Sequence, residues 1–257
     1  MHHAYIDHLS TLDSPVHRLD PRAKLACALL YCAAVASLPV SRPLLPAWCV
    51  PPLAAAVAAS RLPLRYLARR CLMLCAFAAS VALFFPFTLA RGDVAAAIGP
   101  LKVYTGGLAA AGSILFRFAL TTLAVLVLAC TTPFPRLLRA MQWFGLPRLF
   151  IMVLAFLYRY LFVLVDEADR IARARDSRCP SRRGRWTVTP AILGMLFVRS
   201  VDRSDRIYAA MLSRGFDGAV RVLDGLAFRR ADAAVLAGLA IYLSLFLAAF
   251  LGGWCPG

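Results

Sequence analysis

Carboxylates at helical spacing are the first residues in this 257-residue chain whose types could do chemistry. Asp166, Glu167 and Asp169 form one group, and Asp202 and Asp205 form a second. Such acidic groups hold Mg²⁺ in membrane enzymes that act on diphosphates, because that ion prefers oxygen ligands. Each group also has arginines four residues further on: Asp166 with Arg170, Asp169 with Arg173, and Asp202 with Arg206. Ion pairing within a helix is the favoured interpretation, and a Mg-dependent membrane enzyme is the alternative.

Histidine and cysteine are the other residue types that could ligate a metal. His2, His3 and His8 lie near the N-terminus, and neutral imidazole is a good metal ligand. The charge distribution described below places them on the inner side, and we predict no metal role for them. The cysteines mostly lie in apolar runs and form no C-x-x-C pair, which indicates small buried hydrophobic residues rather than a disulfide or zinc framework. They are Cys27, Cys32, Cys49, Cys71, Cys75, Cys130, Cys179 and Cys255.

Arginine dominates the charge of the chain. The net charge is +16, and only Lys24 and Lys102 are lysines. A basic balance can indicate nucleic acid binding, but these arginines flank or follow long apolar runs. Hydrophobic residues make up 61% of the chain, against roughly 45–50% in an average soluble domain. The sequence therefore predicts a protein of the lipid bilayer with no nucleic acid partner.

The apolar runs are the elements that must position these residues. They predict an all-α polytopic membrane protein with about five transmembrane helices plus two long cytoplasmic amphipathic helices. One crossing needs about 20 residues, which 107–130 and 233–252 each supply, and 71–90 supplies a third that is interrupted by Pro86. The run 25–59 is too long for one crossing and is broken by prolines, so it predicts a helical hairpin of two short spans.

Arginine and lysine counts on either side of the spans predict their orientation. The N-terminal segment, the 60–70 connection and the 131–231 stretch are rich in these residues, and the last holds eighteen arginines. Five spans place all three on one side, whereas a sixth span at 149–165 would move many arginines to the wrong side. We predict a multi-pass protein of the cell inner membrane with its N-terminus in the cytoplasm and its C-terminus outside. The predicted domains are 1–130 with the first four spans, 131–231 in the cytoplasm, and 232–257 with the last span.

Two long helices are predicted within 131–231. The first is apolar from Leu149 onward and charged later, and Cys179-Pro180-Ser181 ends it. The second begins with Thr189 as N-cap and Pro190 at its first position, and it runs to about Arg214. Gly215 is suited to the C′ position that follows. A mostly apolar stripe at helical spacing follows one face of this helix: Val198, Val201, Asp205, Tyr208 and Leu212.

Each of these helices ends in a short segment that bears arginine. The two tips are Ala174-Arg175-Asp176 and Ser213-Arg214-Gly215. The helix dipole favours a cation there, and the planar guanidinium can pair with a partner's carboxylate through two hydrogen bonds. The tips would therefore suit two clefts of a dimeric motor. The opposing interpretation is a lipid-bound scaffold whose arginines only hold the helices at anionic headgroups.

Two single residues have structural interpretations. Asp20 followed by Pro21 is typical of a helix start, with Asp20 as the N-cap. Arg117 falls inside the fourth predicted span, where a charge is costly and tends to face protein or water. It is expected to face a partner subunit or to extend toward the membrane surface.

Three runs of sequence resemble a known family, in order and over nearly the whole chain. They are SPVHRLDPRAKL at 14–25, LYRYLFVLVDEA at 157–168 and RSDRIYAAMLSRGFDG at 203–218. They are similar to the cobalt-transport (CbiQ-type) branch of the transmembrane T subunit of energy-coupling-factor (ECF) transporters, a class of ABC importer.

The resemblance implies a coupling role without catalytic residues, cofactor or bound metal. Two ATP-binding ATPase subunits would hydrolyse ATP, and a substrate-binding membrane S subunit of the cobalt-binding type would bind the cargo. Two cytoplasmic coupling helices would cross in an X, each ending in an Ala-Arg-Gly-like motif that enters a groove on one ATPase subunit. Arg214 matches the second motif well. The first motif has Asp176 where glycine is usual, so Arg173 and Arg178 remain alternatives to Arg175, and nickel or a vitamin remains an alternative to cobalt.

Overall fold

The structure is a computed structural model that describes residues 14–39, 45–88, 94–98, 101–178, 185–218 and 228–251. Helices account for almost all of these residues, which confirms the predicted all-α class. They are α1 (Pro21–Ser37), α2 (Val50–Ser60, after a 3₁₀ helix at Leu45–Cys49), α3 (Leu64–Ala82), α4 (Phe85–Thr88), α5 (Thr105–Thr131), α6 (Phe134–Trp143), α7 (Arg148–Arg178), α8 (Arg185–Leu212) and α9 (Arg230–Leu251). The strand pairing among the described residues is one antiparallel hairpin of β1 (Val94–Ile98) and β2 (Leu101–Tyr104).

Two of the described helices are long and apolar enough to cross a membrane. They are Thr105–Thr131, with a mean hydropathy of 2.2, and Arg148–Ser177, with a mean hydropathy of 2.1. The first contains the predicted span 107–130. The second contains 149–165, which the arginine distribution placed in the cytoplasm. The number of spans and the cytoplasmic position of α7 and α8 stay predictions.

Local sequence signals explain where α1 and α2 begin. Asp20 is the N-cap of α1, as predicted, and its Oδ1 accepts a hydrogen bond of 2.8 Å from the backbone N–H of Arg22. Prolines fill the first turn of α2, where their missing N–H groups would have no helical partner. The two helices overlap the predicted helical hairpin over 25–59, whose two spans stay a prediction.

The start of α3 differs from the prediction that 60–70 is a connection between spans. The helix begins at Leu64, directly after Pro63, so it contains Arg65, Arg69 and Arg70. Proline fixes the preceding turn, and the next residues are good helix formers without a breaker. Arg65, Arg69 and Arg70 therefore occupy the first two turns of α3.

The chain divides into two compact units. The larger unit contains the described residues that fall within 14–140 and 228–251, and the smaller contains those that fall within 141–218. The larger unit has an apolar core that α1, α2, α5 and α9 share, with Val35, Leu53, Leu120 and Phe246 among its members. Tight packing in this unit depends on Gly107, because a Cβ there would lie 2.7 Å from the carbonyl oxygen of Phe85.

The smaller unit is dominated by α7 and α8. The structure describes α7 as far as Arg178, and the predicted stop at 179–181 lies outside the described residues. The predicted start of the second helix is wrong, because α8 begins at Arg185 and Pro190 lies inside it. Proline removes one hydrogen bond to the carbonyl four residues earlier, and in the second turn that loss did not end the helix.

Candidate functional site

The helices α7 and α8 form an antiparallel pair in the smaller unit. Phe156 and Tyr160 of α7 line the same groove as Ile207 and Met211 of α8. Further along, Glu167 of α7 meets Arg199 of α8. The residue numbers of the contacts therefore decrease along α7 as they increase along α8. Because the helices are antiparallel, their two C-terminal ends lie at opposite ends of the pair.

Glu167 and Arg199 link the two helices through an ion pair, and Arg170 adds a second contact to the same carboxylate at 3.1 Å. The hydrogen bond from Arg199 is the main cause that holds the pKa of Glu167 below its ordinary value, and Arg170 acts in the same direction. Sequence spacing predicted Asp166 as the partner of Arg170, which is wrong. The cross-helix pair could not be read from spacing, because its members are 32 residues apart.

The second predicted tip is a well-formed helix C-terminus. Gly215 has a positive φ of 74°, its N–H donates to the carbonyl of Leu212 at 3.0 Å, and the N–H of Phe216 donates to the carbonyl of Met211 at 3.1 Å. This pair of bonds is the Schellman motif, and it makes Gly215 the C′ residue as predicted. Arg214 is thereby the residue that caps the helix, and its side chain is exposed.

The first predicted tip, Ala174-Arg175-Asp176, lies in the last turn of α7. The Nε and Nη2 atoms of Arg175 both donate to Oδ1 of Asp176, at 2.9 and 2.7 Å. Only 15% of the Arg175 side chain is exposed, against 62% for Asp176. Arg173 is exposed, and the side chain of Arg178 lies outside the described residues. The two tips thus differ, since Arg214 is exposed and Arg175 is engaged by its neighbour.

The predicted apolar stripe on α8 lies on the face that α7 does not cover. Val198, Val201, Tyr208 and Leu212 are each more than 40% exposed. The face that packs against α7 carries Leu196, Ser200, Ile207 and Met211 instead. The predicted residues therefore do share one face of α8, but that face is exposed and does not pack against α7.

Comparison with known proteins gives the family. Residues 13–223 match the family described as CbiQ, cobalt transport protein.

The chain belongs to the CbiQ family.

Two relatives named energy-coupling factor transporter transmembrane protein EcfT cover most of its length. The protein from Heliobacterium modesticaldum is 30% identical over 80% of this chain and 82% of its own. The protein from Limosilactobacillus fermentum is 30% identical over 93% of this chain and 94% of its own. The cobalt transport protein CbiQ of Rhodobacter capsulatus is 29% identical over 49% of this chain and 53% of its own. The chain is accordingly a CbiQ-type T component of an ECF transporter, a membrane transport protein.

The acidic residues of this CbiQ-family chain do not assemble into a metal site in the described part of the structure. No group of three or more His, Cys, Asp or Glu residues that could hold an ion occurs there. Asp202 forms no ion pair with Arg206, contrary to the predicted spacing pair, whereas Glu167 is occupied by two arginines. His2, His3 and His8 lie outside the described residues.

The cysteines are less buried than expected. Cys49 is buried, but Cys27, Cys32, Cys71, Cys75 and Cys130 are only partly so, and all six are free thiols. Cys179 and Cys255 lie outside the described residues. The apolar surroundings of the six described cysteines are consistent with helix packing, and the sequence analysis overestimated only how deeply these side chains are buried.

A buried polar cluster in the larger unit joins the first and last helices, and sequence analysis did not find it. The carboxylate of Asp232 accepts hydrogen bonds from the backbone N–H groups of Asp20 at 2.8 Å and Arg229 at 2.7 Å. Lys24, just before the predicted first span, donates to the carbonyl of Thr131 at the end of α5, at 3.0 Å. Burial, followed by the charge of Arg136, lowers the pKa of Lys24 to about 8. The cluster fixes the adjoining ends of α1, α5 and α9.

Arg117 has a partner within the chain. Its Nη1 donates to the carbonyl of Leu38 at 2.7 Å, and its Nη2 donates to the carbonyl of Pro39. Leu38 is the C-cap of α1, so these carbonyls have no helical donor. The expected contact with a partner subunit or the membrane surface is therefore replaced by a contact that closes the end of α1.

Proposed function

We propose that this chain couples ATP hydrolysis by two partner ATPase subunits to the uptake of cobalt ion through a separate substrate-binding S subunit. It would do so in the cell inner membrane, with its N-terminus in the cytoplasm. The observation that carries the proposal is the exposed Arg214 at the capped end of α8, in a chain of the CbiQ family. The chain would carry no catalytic residue of its own.

The chemistry of the Arg214 tip suits insertion into an acidic groove. The guanidinium presents a planar set of donors that a carboxylate can accept in pairs. The free carbonyls at the helix end make a cation favourable at this position before any partner binds. Gly215 turns the chain away directly after the arginine, whose side chain is exposed. We infer that Ser213, Arg214 and Gly215 form one of the two ATPase contacts.

The second contact is assigned to Ala174, Arg175 and Asp176 at the end of α7. The hydrogen bonds from Arg175 to Asp176 would have to open when a carboxylate of an ATPase subunit replaces that of Asp176. Such an exchange trades one charge-assisted interaction for another, so its net cost is small. Arg173 is exposed on the same turn, and it or Arg178 is the alternative for this role.

The separation of the tips fits two docking positions rather than one. The 28 residues of α8 extend over roughly 42 Å at about 1.5 Å per residue, and the tips lie toward opposite ends of the pair. When ATP draws the two ATPase subunits together, the helix ends would have to follow. ATP can move them only through the unequal affinity of the tips for the open and closed ATPase dimer.

Cobalt is proposed as the cargo because the family is described as cobalt transport protein. The ion would bind to the S subunit, so residues of this chain do not select it. Nickel or a vitamin would require the same coupling role with a different S subunit. Uptake of cobalt and nickel measured side by side in the reconstituted complex distinguishes the two ions.

Co-purification of the ATPase subunits tests the docking role of Arg214. Arg214→Glu reverses the charge and is expected to weaken retention of the ATPase subunits by at least about tenfold, because a charge-assisted contact is worth about 1.5–3 kcal/mol. Arg214→Lys is expected to weaken it measurably, because lysine lacks the planar fork. Arg148→Glu, an exposed residue at the start of α7, is the matched control and should retain them. Equal retention by Arg214→Glu and the control would contradict the proposal, and silence of Arg214→Lys would favour the lipid-bound scaffold.

A further inference from the structure

We propose that the groove between α7 and α8 binds one anionic phospholipid, with the phosphate at its basic end and an acyl chain along its apolar end. Two adjoining cavities make up this groove, with volumes of about 260 Å³ and about 270 Å³. Leu164, Ser200 and Arg203 line both cavities, so the two cavities lie next to each other at these residues. Each is slightly smaller than the usual range of small-molecule pockets, about 300–1,000 Å³, and together they fall within it.

The basic end carries more positive charge than the chain neutralises. Arg199, Arg203 and Arg206 line it together with a single carboxylate, Glu167. That carboxylate is already engaged by Arg199 and by Arg170 from outside the cavity. Within the described residues, Arg203 and Arg206 form no salt bridge within 4.0 Å. Because they are three residues apart on one helix face, their like charges repel each other, and a bound anion would relieve that repulsion.

Phosphate is the anion that this end fits best. Guanidinium groups bind phosphate oxygens through paired hydrogen bonds, and two arginines on one helix face can share one phosphate. The hydroxyl of Ser200 already donates to the carbonyl of Phe197 at 2.7 Å, so the arginines must supply the donors. Arg203 is half-buried at the junction of the two cavities, which places it where a headgroup would meet its acyl chain.

The apolar end continues directly from that junction. Phe156, Tyr160 and Val163 line it from α7, and Ile207 and Met211 line it from α8. From Arg203 to Met211 the groove runs roughly 12 Å along α8, which accommodates part of one acyl chain. A basic end followed by an apolar end matches the polarity of an anionic lipid. Free phosphate would use only the basic end, and a neutral lipid would leave the arginines uncompensated.

Native mass spectrometry of the purified full chain, after controlled removal of lipid, tests the assignment. We expect retained phosphatidylglycerol on the wild type and much less retained phosphatidylcholine. Arg203→Gln with Arg206→Gln is expected to lower phosphatidylglycerol retention at least about tenfold, because two charge-assisted contacts are lost. Arg65→Gln with Arg148→Gln removes the same charge from exposed positions that line neither cavity, and it should retain the lipid.

Further variants separate the two ends of the groove and guard against misfolding. Ile207→Ser with Met211→Ser is expected to lower retention while leaving the arginines in place. Arg203→Lys with Arg206→Lys keeps the charge, and it should fold and retain an intermediate amount of lipid. Thermal unfolding of every variant in detergent identifies any that fail to fold.

Four outcomes would overturn the proposal. Equal loss of lipid in the charge-matched control would mean that the lipid is held by net charge alone. Retention unaffected by the Ser variants would mean that the apolar end is unused. Displacement of the lipid by millimolar inorganic phosphate would assign the basic end to a free anion. Lipid present on the isolated chain but absent from the complex assembled with its ATPase and S subunits would assign the groove to a partner protein.

Discussion

Arg117 shows how the surroundings of a single residue decide the role of its charge. It lies within the 27-residue α5, whose composition suits a membrane crossing. An unpaired charge there would be costly. The end of α1 supplies two carbonyls that lack donors, and the guanidinium satisfies both. Arg117 thus supplies donors to two carbonyls that would otherwise lack them, and it is itself paired. We expect the packing of α5 against α1 to depend on this residue.

Arg117→Met tests that dependence. The substitution is expected to destabilise the protein by about 2–4 kcal/mol, because two charge-assisted hydrogen bonds are lost and two carbonyls are left without partners. Arg117→Lys should lose about half as much, since one ammonium group reaches fewer of these acceptors. Unfolding by sodium dodecyl sulfate in mixed micelles, followed by circular dichroism, measures the change. A stability of Arg117→Met equal to that of the wild type would contradict the role assigned to this contact.

The Glu167–Arg199 pair makes a pH-dependent prediction at the same scale. The pKa of folded Glu167 lies below its unfolded value of about 4.3. The ion pair therefore stabilises the packing of α7 on α8 at pH values above the unfolded-state pKa. This stabilisation is lost as the pH falls through the folded-state pKa. A double-mutant cycle of Glu167→Gln and Arg199→Gln should give a favourable coupling energy at pH 7 and a smaller one near pH 3.5. A coupling energy that is the same at both pH values would show that the carboxylate charge is not involved.

At the scale of elements, the sequence predicted most helices and little of how they meet. The N-cap at Asp20 and the C′ glycine at 215 were each visible in a few adjacent residues, because capping is local chemistry. The start of α8 could not be predicted in this way, because a proline near a helix start can lie either before the first helical residue or inside the first turns. The stripe at 198–212 was found, but periodicity cannot tell a covered face from an exposed one.

Long-range polar contacts were beyond sequence spacing for a physical reason. Arg170 had plausible partners on its own helix, and only the packing of α7 on α8 selects Glu167 as a partner shared with Arg199. Asp232 lies in the first turn of α9, and nothing in its sequence neighbourhood marks it as buried. Its burial at 1% exposure and its hydrogen bond to the backbone of Asp20 arise from the fold of the whole unit.

Gly215→Ala tests the helix tip as an element. A Cβ at this position would meet no atom within 4 Å, so the penalty comes from the positive φ alone. We expect a cost of about 1–2 kcal/mol to the terminal turn, with faster hydrogen exchange of the last amides of α8 and weaker retention of the ATPase subunits. Gly194→Ala in the interior of α8 is the control, because alanine there should instead stabilise the helix by about 1 kcal/mol. Slower or unchanged exchange in Gly215→Ala would contradict the Schellman assignment.

At the scale of the whole molecule, the two units differ in how their helices are packed. The larger unit has a shared apolar core with polar links at Arg117 and Asp232, as expected of a stable support. The described residues of the smaller unit form an open helical pair with an uncovered apolar stripe, an exposed arginine tip and the Glu167–Arg199 ion pair across it. A surface left uncovered in this way is typical of an interaction site, which agrees with the role proposed for the smaller unit.

ATP-driven uptake of radioactive cobalt is a direct test of coupling through Arg214. Proteoliposomes would contain the complete complex, with either the wild-type chain or Arg214→Glu, at matched levels of ATPase and S subunits. We expect the reversed charge to abolish uptake or to lower it at least about tenfold, while Arg148→Glu transports like the wild type. Uptake by Arg214→Glu at the wild-type rate would show that this tip does not transmit the work of the ATPase.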